Sequence, residues 1–311
     1  MTESQIEQYA LDILANLGWQ ILHGPDIGPD GAAAERELRQ VVLPGRLYSA
    51  LARLNPHVPE LALNEAMRRL TQISKPSLIE NNHDFHQLLV AGVPVQYRIS
   101  SGEIKHDIMR VVDFNSPRNN DFAAVNQLTV LQSDYNRRPD IVLFVNGLPL
   151  VVIELKNAAD TKADLVAAYQ QIQTYKREIS DLFRFNELCV TSDGLEAEMG
   201  TITSPLERMM PWKTIDGEKE VGNVPMLEVL LRGACTPERL LDMVQNFIVF
   251  ERSDGDKLIK KVAAYHQYWV VNKALDRTLV ASGERGDQRA GVVWHTQGSG
   301  KSLSMVFYTG K

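Results

Sequence analysis

Two apolar runs rich in β-branched residues, Ile141 to Val145 and Leu150 to Leu155, flank an Asn146-Gly147 pair, and no other feature limits the fold of this chain so strongly. Asn-Gly is a strong short-range hairpin signal, because both residues tolerate the positive φ that a two-residue turn demands. The second run is apolar on both faces, as expected for a strand covered on both sides of a sheet. Three charges interrupt this apolar pair. Asp140 stands at the head of the first strand, Glu154 follows after thirteen intervening residues, and Lys156 lies two positions further on, on the same strand face as Glu154. Register arithmetic tests the convergence of the two acids. A plain two-residue loop sets Asp140 opposite Ile153 and sends Glu154 to the other face. A three-residue loop or one β-bulge near Asp140 restores the match, and such an irregularity is therefore predicted.

Two carboxylates a few ångströms apart repel one another, and a divalent cation is the usual means of keeping both ionised in a cleft. Asp140 and Glu154 are thus candidate metal ligands, with Mg²⁺ the expected ion. A cation there can activate a water in line with a phosphodiester and stabilise the departing oxygen. Lys156 adds charge for the phosphate or positions the water. Alternatively, the three charges form the polar rim of a sheet. Charges inside a two-sided apolar strand are costly unless paired or ligating, and costs of this kind collect at functional sites, which favours a metal-dependent nuclease. Beyond Asp160-Thr-Lys-Ala-Asp, the segment Leu165 to Arg177 has the pattern of an amphipathic helix. It places Gln171 and Tyr175 on one face, in reach of a DNA phosphate or of the catalytic lysine.

Pro139-Asp140, Glu154-x-Lys156 and Gln171-x-x-x-Tyr175, in this order, resemble the PD-(D/E)xK nucleases. Asn119-Asn-Asp-Phe-Ala-Ala-Val-Asn-Gln127, Arg138-Pro-Asp-Ile-Val-Leu-Phe-Val-Asn-Gly-Leu-Pro149 and Phe185-Asn186 narrow the likeness to the restriction and motor subunit of type I restriction-modification enzymes, over most of the chain. The resemblance implies an α/β fold, a mixed central sheet flanked by helices, followed by the start of a RecA-like motor domain. It also implies nonspecific cutting of double-stranded DNA, coupled to ATP-driven translocation in the full-length protein. Methylation and specificity subunits would be partners. Some nucleases of this kind add a glutamate from the first helix to the metal site, which points to Glu7. However, Ser4-x-x-Glu7 also reads as a capping box, and that role is favoured from sequence.

The C-terminal end carries an independent signal. Ala290-Gly-Val-Val-Trp294 has the look of a buried strand leading into His295-Thr296-Gln297-Gly298-Ser299-Gly300-Lys301-Ser302 and a helix. In such a phosphate-binding loop, backbone N–H groups and the helix N-terminus cradle phosphates, Lys301 reaches the outer ones and Ser302 ligates Mg²⁺. Residues 296 to 302 are therefore candidate ATP contacts. His295 stands where the general pattern has glycine, a change that superfamily 2 motors tolerate. Gln267, in the helical stretch Ala264-Tyr-His-Gln-Tyr-Trp-Val, resembles the adenine-reading glutamine of that class, although an amphipathic core helix fits it equally well. Neither a second acidic motif nor an arginine finger follows. The chain thus reads as the N-terminal fragment of a larger protein, with little ATP hydrolysis of its own.

The remaining residues suggest about two domains for 311 residues, a nuclease unit over 1–235 and the motor start over 236–311, where Thr236-Pro-Glu opens a helix. Helical patterns cover Ile6 to Leu17, Pro59 to Ile73 and Ile79 to Ala91. A hairpin spans Val93 to Ile99 and Ile104 to Phe114 around Ser100-Ser-Gly-Glu, and strands are expected at Ala123 to Gln132 and Leu188 to Ser192. Gly200 to Pro225, with Trp212, is the loosest stretch and a candidate lobe edge. Cys189 and Cys235 fit reduced buried thiols, and no signal peptide or membrane span is visible, which suits a cytoplasmic protein. A net charge of −6 argues against a strong grip on DNA by the chain as a whole; Arg137, Arg138, Lys156 and Lys176 are the best basic patch. Two other functions compete with restriction: an ATP-dependent helicase or remodeller with a non-catalytic docking lobe, and a free-standing repair exonuclease. The first needs no metal at Asp140 and Glu154, and the second predicts digestion from DNA ends without ATP.

Overall fold

The computed structural model describes residues 2–99, 101–157, 165–253 and 255–311. The expected Asp160 to Asp164 lead-in and Ser100 of the hairpin turn lie outside them. The chain opens with α1 (Glu3–Asn16), β1 (Gln20–His23), α2 (Gly24–Ile27), α3 (Pro44–Leu54), α4 (Glu60–Thr71) and α5 (Leu78–Ala91). The hairpin β2 (Val93–Arg98) and β3 (Ile104–Met109) precedes β4 (Phe122–Asn126), β5 (Val130–Gln132), β6 (Tyr135–Arg137), β7 (Ile141–Val145) and β8 (Leu148–Leu155). Then come α6 (Leu165–Glu178), α7 (Ser180–Phe183), β9 (Leu188–Ser192), β10 (Ala197–Gly200), β11 (Met210–Pro211), α8 (Met226–Ala234) and α9 (Pro237–Asn246). The hairpin β12 (Ile248–Arg252) and β13 (Leu258–Val262), α10 (Tyr265–Ser282) and α11 (Lys301–Gly310) complete it.

Seven strands form the central mixed sheet, in the order β1-β4-β7-β8-β9-β10-β11. The pairs β1–β4 and β8–β9 are parallel and the others antiparallel. Every residue of β7 and β8 is buried, as their apolar sequence, broken only by Glu154, leads one to expect, with each fully buried Val, Ile or Leu contributing about 1.5–3 kcal/mol. Asn146 and Gly147 both have positive φ, 51° and 78°, the conformation of a type I′ turn. A side chain at residue 147 would approach the Leu43 carbonyl oxygen to 2.5 Å, so glycine is needed for space as well as for φ.

Three sequence expectations are corrected. The run from Ala123 to Gln132 is not one strand: Gln127 takes φ 53°, the chain turns, and Val130–Gln132 pairs with Tyr135–Arg137 instead. The Ala290 to Trp294 stretch forms no strand. None of the described strands lies beside it to satisfy its backbone, and Val292 and Trp294 are both 90% exposed. Trp212 is not at a loose edge but fully buried, 5.7 Å from the ring of Tyr268.

Residues 236 to 262 pack against the sheet-bearing body. The Trp19 indole N–H donates to the Cys235 carbonyl oxygen at 2.9 Å. On β13, Lys260 is completely enclosed with Glu187 at 2.6 Å. Its ammonium also donates to Asn82 Oδ1 and to the Asn186 carbonyl oxygen, and His86 Nδ1 lies 3.0 Å from the same carboxylate. Burial lowers the Lys260 ammonium against the pull of Glu187; burial raises Glu187, but Lys260 and His86 outweigh it and hold the carboxyl below its ordinary value. Lys260→Ala should therefore destabilise the protein by about 3–5 kcal/mol, since it strands a buried carboxylate. The double change Lys260→Met and Glu187→Gln should recover most of that loss in urea unfolding, whereas equal loss in both variants would deny the pair this role.

Candidate active site

An irregularity of the expected kind is present in the β7–β8 pair, but at the turn end of the hairpin and not near Asp140. Val145 pairs with Leu148 and Phe144 with Pro149, after which the register slips so that Leu143 pairs with Val151 and Ile141 with Ile153. Leu150 is the extra residue of a bulge. One step beyond the Ile141–Ile153 pair, Asp140 and Glu154 fall level with each other on one face. The bulge lies close to the turn, so it shifts the whole acidic end of the hairpin.

Asp140 is 7% and Glu154 2% exposed. Asp140 Oδ2 accepts the Leu155 N–H at 2.7 Å, which fixes its carboxylate against the neighbouring strand. Lys156 Nζ donates to Glu154 Oε1 at 2.7 Å and to the Leu155 carbonyl oxygen at 3.0 Å. Among the described residues, Glu154 Oε2 is buried with no partner in full hydrogen-bond geometry, although the Tyr175 hydroxyl lies close enough to this carboxylate to draw its pKa down a little. Burial and then the Asp140 charge push the Glu154 carboxyl up to about 8, despite Lys156. Burial pushes Asp140 up to about 6, against the bond from Leu155. At Lys156 burial alone would lower the ammonium, yet Glu154 outweighs it and raises its pKa.

The helix α6 brings Gln171 and Tyr175 to this place. Tyr175 is buried and its hydroxyl donates to the Arg138 carbonyl oxygen at 3.3 Å. Burial, and then the charges of Glu154 and Asp140, raise its ionisation well above the ordinary phenol range, while Gln171 opposes the shift. All five residues expected at the nuclease site are thus gathered at one end of the β7–β8 hairpin. The first helix also faces it. The α1 capping box is formed by Thr2 and Gln5, which corrects the Ser4–Glu7 assignment, because the helix starts at Glu3 and residue 7 falls beyond the first turn. Glu7 instead accepts from the amides of Asn126 and Gln127, and the Gln127 N–H donates to the Asp140 carbonyl oxygen at 2.9 Å. Sequence reading assigned no role to Asn126 or Gln127. Their only signal was an amide pair at the end of an apolar run, and the turn that aims them is tertiary.

The expected basic patch is largely spent inside the protein. Arg137 is paired with Glu178, Lys156 with Glu154, and Lys176 Nζ donates to the Ile202 carbonyl oxygen at 2.8 Å. Arg138 stays exposed. No group of three or more His, Cys, Asp or Glu suited to a metal occurs among the described residues. The fit to a cation rests on the two carboxylates of Asp140 and Glu154, one of whose oxygens is orphaned, a hard oxygen donor set suited to a divalent ion such as Mg²⁺.

At the other end of the chain, Thr296 to Gly300 form a loop before α11, with Gly298 and Gly300 at φ 82° and 77°. Lys301 Nζ folds back onto the carbonyl oxygens of His295 and Thr296 at 3.1 and 2.9 Å. Gln267 Nε2 donates to the Gly300 carbonyl oxygen at 3.0 Å, and its Oε1 accepts the Ala264 N–H at 2.9 Å. The glutamine expected to read adenine therefore seats the loop. Ser299 Oγ and His295 Nδ1 are buried without hydrogen-bond partners among the described residues, which fits a loop built to receive a polar ligand. Gln297 and Ser302 complete the segment, with Ser302 exposed at the helix start.

Residues 1–208 match the family described as the type I restriction enzyme R protein N terminus, and residues 266–311 match the SWI2/SNF2 ATPase family. The chain is 44% identical to the type I restriction enzyme HindI endonuclease subunit of Haemophilus influenzae, covering 100% of this chain and 30% of that protein. It is 31% identical to the putative type I restriction enzyme MjaIXP endonuclease subunit of Methanocaldococcus jannaschii, covering 98% and 31%. A Staphylococcus aureus relative, the type I restriction enzyme SauCOLORF180P endonuclease subunit, is 27% identical over 77% of this chain and 24% of its own. The chain spans under a third of the length of these curated relatives.

Because both acids have folded-state pKa values above their unfolded ones, the metal-free protein loses stability as pH rises through about 6 and about 8. The thermal midpoint in chelator should fall between pH 5 and 8, and Mg²⁺ should restore it at pH 8. Glu154→Gln should flatten this slope and raise the pH 8 midpoint by about 2–4 °C in chelator, as scanning fluorimetry can measure. A parent midpoint that does not respond to pH or to Mg²⁺ would contradict this reading of the site.

Proposed function

The chain belongs to the family of type I restriction enzyme R protein N termini, and on that premise we propose that it carries the nuclease centre of a restriction subunit. In this reading it cleaves phosphodiesters of double-stranded DNA with Mg²⁺, within a complex that includes methylation and specificity subunits. The observation that carries it is the bulge-set pairing of Asp140 with Glu154, which leaves Glu154 Oε2 buried and unpartnered beside Lys156.

Asp140 and Glu154 would hold the Mg²⁺, which when bound supplies Lewis-acid activation of water and neutralises phosphate charge. The chain's own groups prepare the ground. The Leu155 N–H fixes Asp140, and the high pKa values of the acids mean that both must shed protons before they can ligate. The Lys156 side chain is 21% exposed and Glu154 only 2%, so the ammonium can turn from the carboxylate to a phosphate oxygen while the acid stays in place. Tyr175 braces the Arg138 backbone just before Asp140, and Gln171 stands beside the Tyr175 hydroxyl. The exposed Arg138 is the nearest unspent cation for the DNA backbone. We further assign the loop Thr296 to Ser302 to ATP in the full-length protein, with Lys301 exchanging two loop carbonyls for phosphate oxygens and Gln267 holding the loop's shape. The nuclease unit then comprises residues 1–235, with 236–262 packed on it and the motor starting at α10.

Calorimetric titration of Mn²⁺ should give binding that Asp140→Ala and Glu154→Ala abolish and Lys301→Ala spares. Lys156→Ala should keep that binding while lowering cleavage by the full-length enzyme about 10²- to 10³-fold. A full-length enzyme that still restricts DNA with Glu154→Ala would sink the assignment.

A further inference from the structure

Away from the nuclease site, a groove of about 770 Å³ runs between α4 and the β2–β3 hairpin. Its character differs from the rest of the chain. Overall charge is −6, yet the groove is lined by Arg68, Arg69 and Arg98 against the single carboxylate of Glu65. Glu65 grips both of its helical neighbours, accepting from Arg68 Nε and Nη2 at 3.0 and 2.9 Å and from Arg69 Nε at 2.9 Å. Arg69 Nη1 then donates to the Pro94 carbonyl oxygen on β2 at 2.7 Å. Two guanidinium planes are thereby held in fixed orientations, with positive charge in excess and further donors free to serve an incoming carboxylate.

The same wall exposes large apolar side chains. Leu61 on α4 is 83% and Ile104 on β3 56% exposed, and Ile108, outside the groove lining but on the same outward face of the hairpin as Ile104, is 62% exposed. Leu61, Glu65 and Arg68 follow one another at helical spacing on the outward side of α4. On the hairpin, Arg98 pairs with Ile104 and Pro94 with Ile108, which puts these four on one face. The hairpin is a two-stranded sheet of its own, a unit that is marginal by itself, and α4 covers only one side of it. Phosphate backbones of DNA satisfy arginines but give no burial to Leu61, Ile104 and Ile108. Apolar groups framed by oriented arginines are instead the composition of a protein–protein interface.

We propose that this groove docks an acidic, amphipathic segment of a second polypeptide of the restriction complex, with carboxylates meeting Arg68 and Arg98 and apolar side chains covering Leu61 and Ile104. The inference rests on family membership and not on the assignment of Asp140 and Glu154. The test takes the full-length protein and its purified methylation and specificity subunits and compares the parent with the double variant Leu61→Asp, Arg98→Glu and, separately, with Arg68→Glu. Assembly is followed by sedimentation velocity, DNA affinity of the uncombined protein is measured in the same buffer, and the thermal midpoint serves as a folding control. The expected result is assembly weakened about 100-fold or more in the double variant, a smaller loss in Arg68→Glu, and unchanged DNA affinity and midpoint. Unchanged assembly overturns the proposal. So does a loss of DNA affinity with assembly intact, which would make the groove a nucleic-acid surface, or self-association of the parent that the variants abolish, which would make the occupant a second copy. Should the double variant unfold, the exposed Arg68→Glu decides alone, with unaltered assembly counting against the groove.

Discussion

A single extra residue in a buried hairpin governs this molecule's chemistry. Strands β7 and β8 are covered on both faces, so their side chains have no freedom to choose a side after folding: the register decides which groups meet. With Leu150 bulged between the Phe144–Pro149 and Leu143–Val151 pairs, two acids that would otherwise point apart are level. The sheet can therefore impose a juxtaposition of carboxylates that water would never allow to form.

The consequence is a site that is under-neutralised by design. One lysine answers two buried acids, and one carboxylate oxygen has no donor among the described residues. Uncompensated burial raises both acids toward neutral form, a cost to the folded chain that a divalent cation would relieve. The contrast with Glu187 is instructive. That carboxylate is equally enclosed and its Oε1 likewise has no hydrogen-bond partner among the described residues, yet its Oε2 meets Lys260, with His86 at hydrogen-bond distance, and its pKa moves down. Burial is common to both places; only the balance of charge separates an internal strut from a pair of acids held toward their neutral forms.

The two ends of the chain show how far local pattern carries. At the Asp140–Glu154 site, the chain itself closes the sheet around the acids, and pattern and structure agree on where the two carboxylates lie. At the phosphate loop, the glycines and Lys301 adopt a loop-to-helix turn, while the apolar Ala290 to Trp294 run remains without sheet partners and largely exposed. A strand is a contract between segments, because its N–H and C=O groups need neighbours; a loop before a helix is mostly local. Here the local element forms and the cooperative one does not.

Much of the site was legible in the residues. Asn-Gly demanded a tight turn, the apolar runs demanded a buried hairpin, and the parity of residue numbers required either a three-residue loop or a bulge if Asp140 and Glu154 were to meet. The i, i+4 spacing of Gln171 and Tyr175 put them on one face. What these patterns lack is any statement of direction between distant segments. Only the tertiary structure aimed Glu7 at Asn126 and Gln127, turned Gln267 onto the Gly300 carbonyl, spent Arg137 and Lys176 on internal partners, and enclosed Lys260 with Glu187 across seventy-three positions. Periodicity and turn chemistry are properties of neighbours along the chain and can be read from it directly. Which charges find each other across the fold depends on how the helices and hairpins pack on the sheet, and that packing is decided by shape and volume that no short stretch of sequence contains.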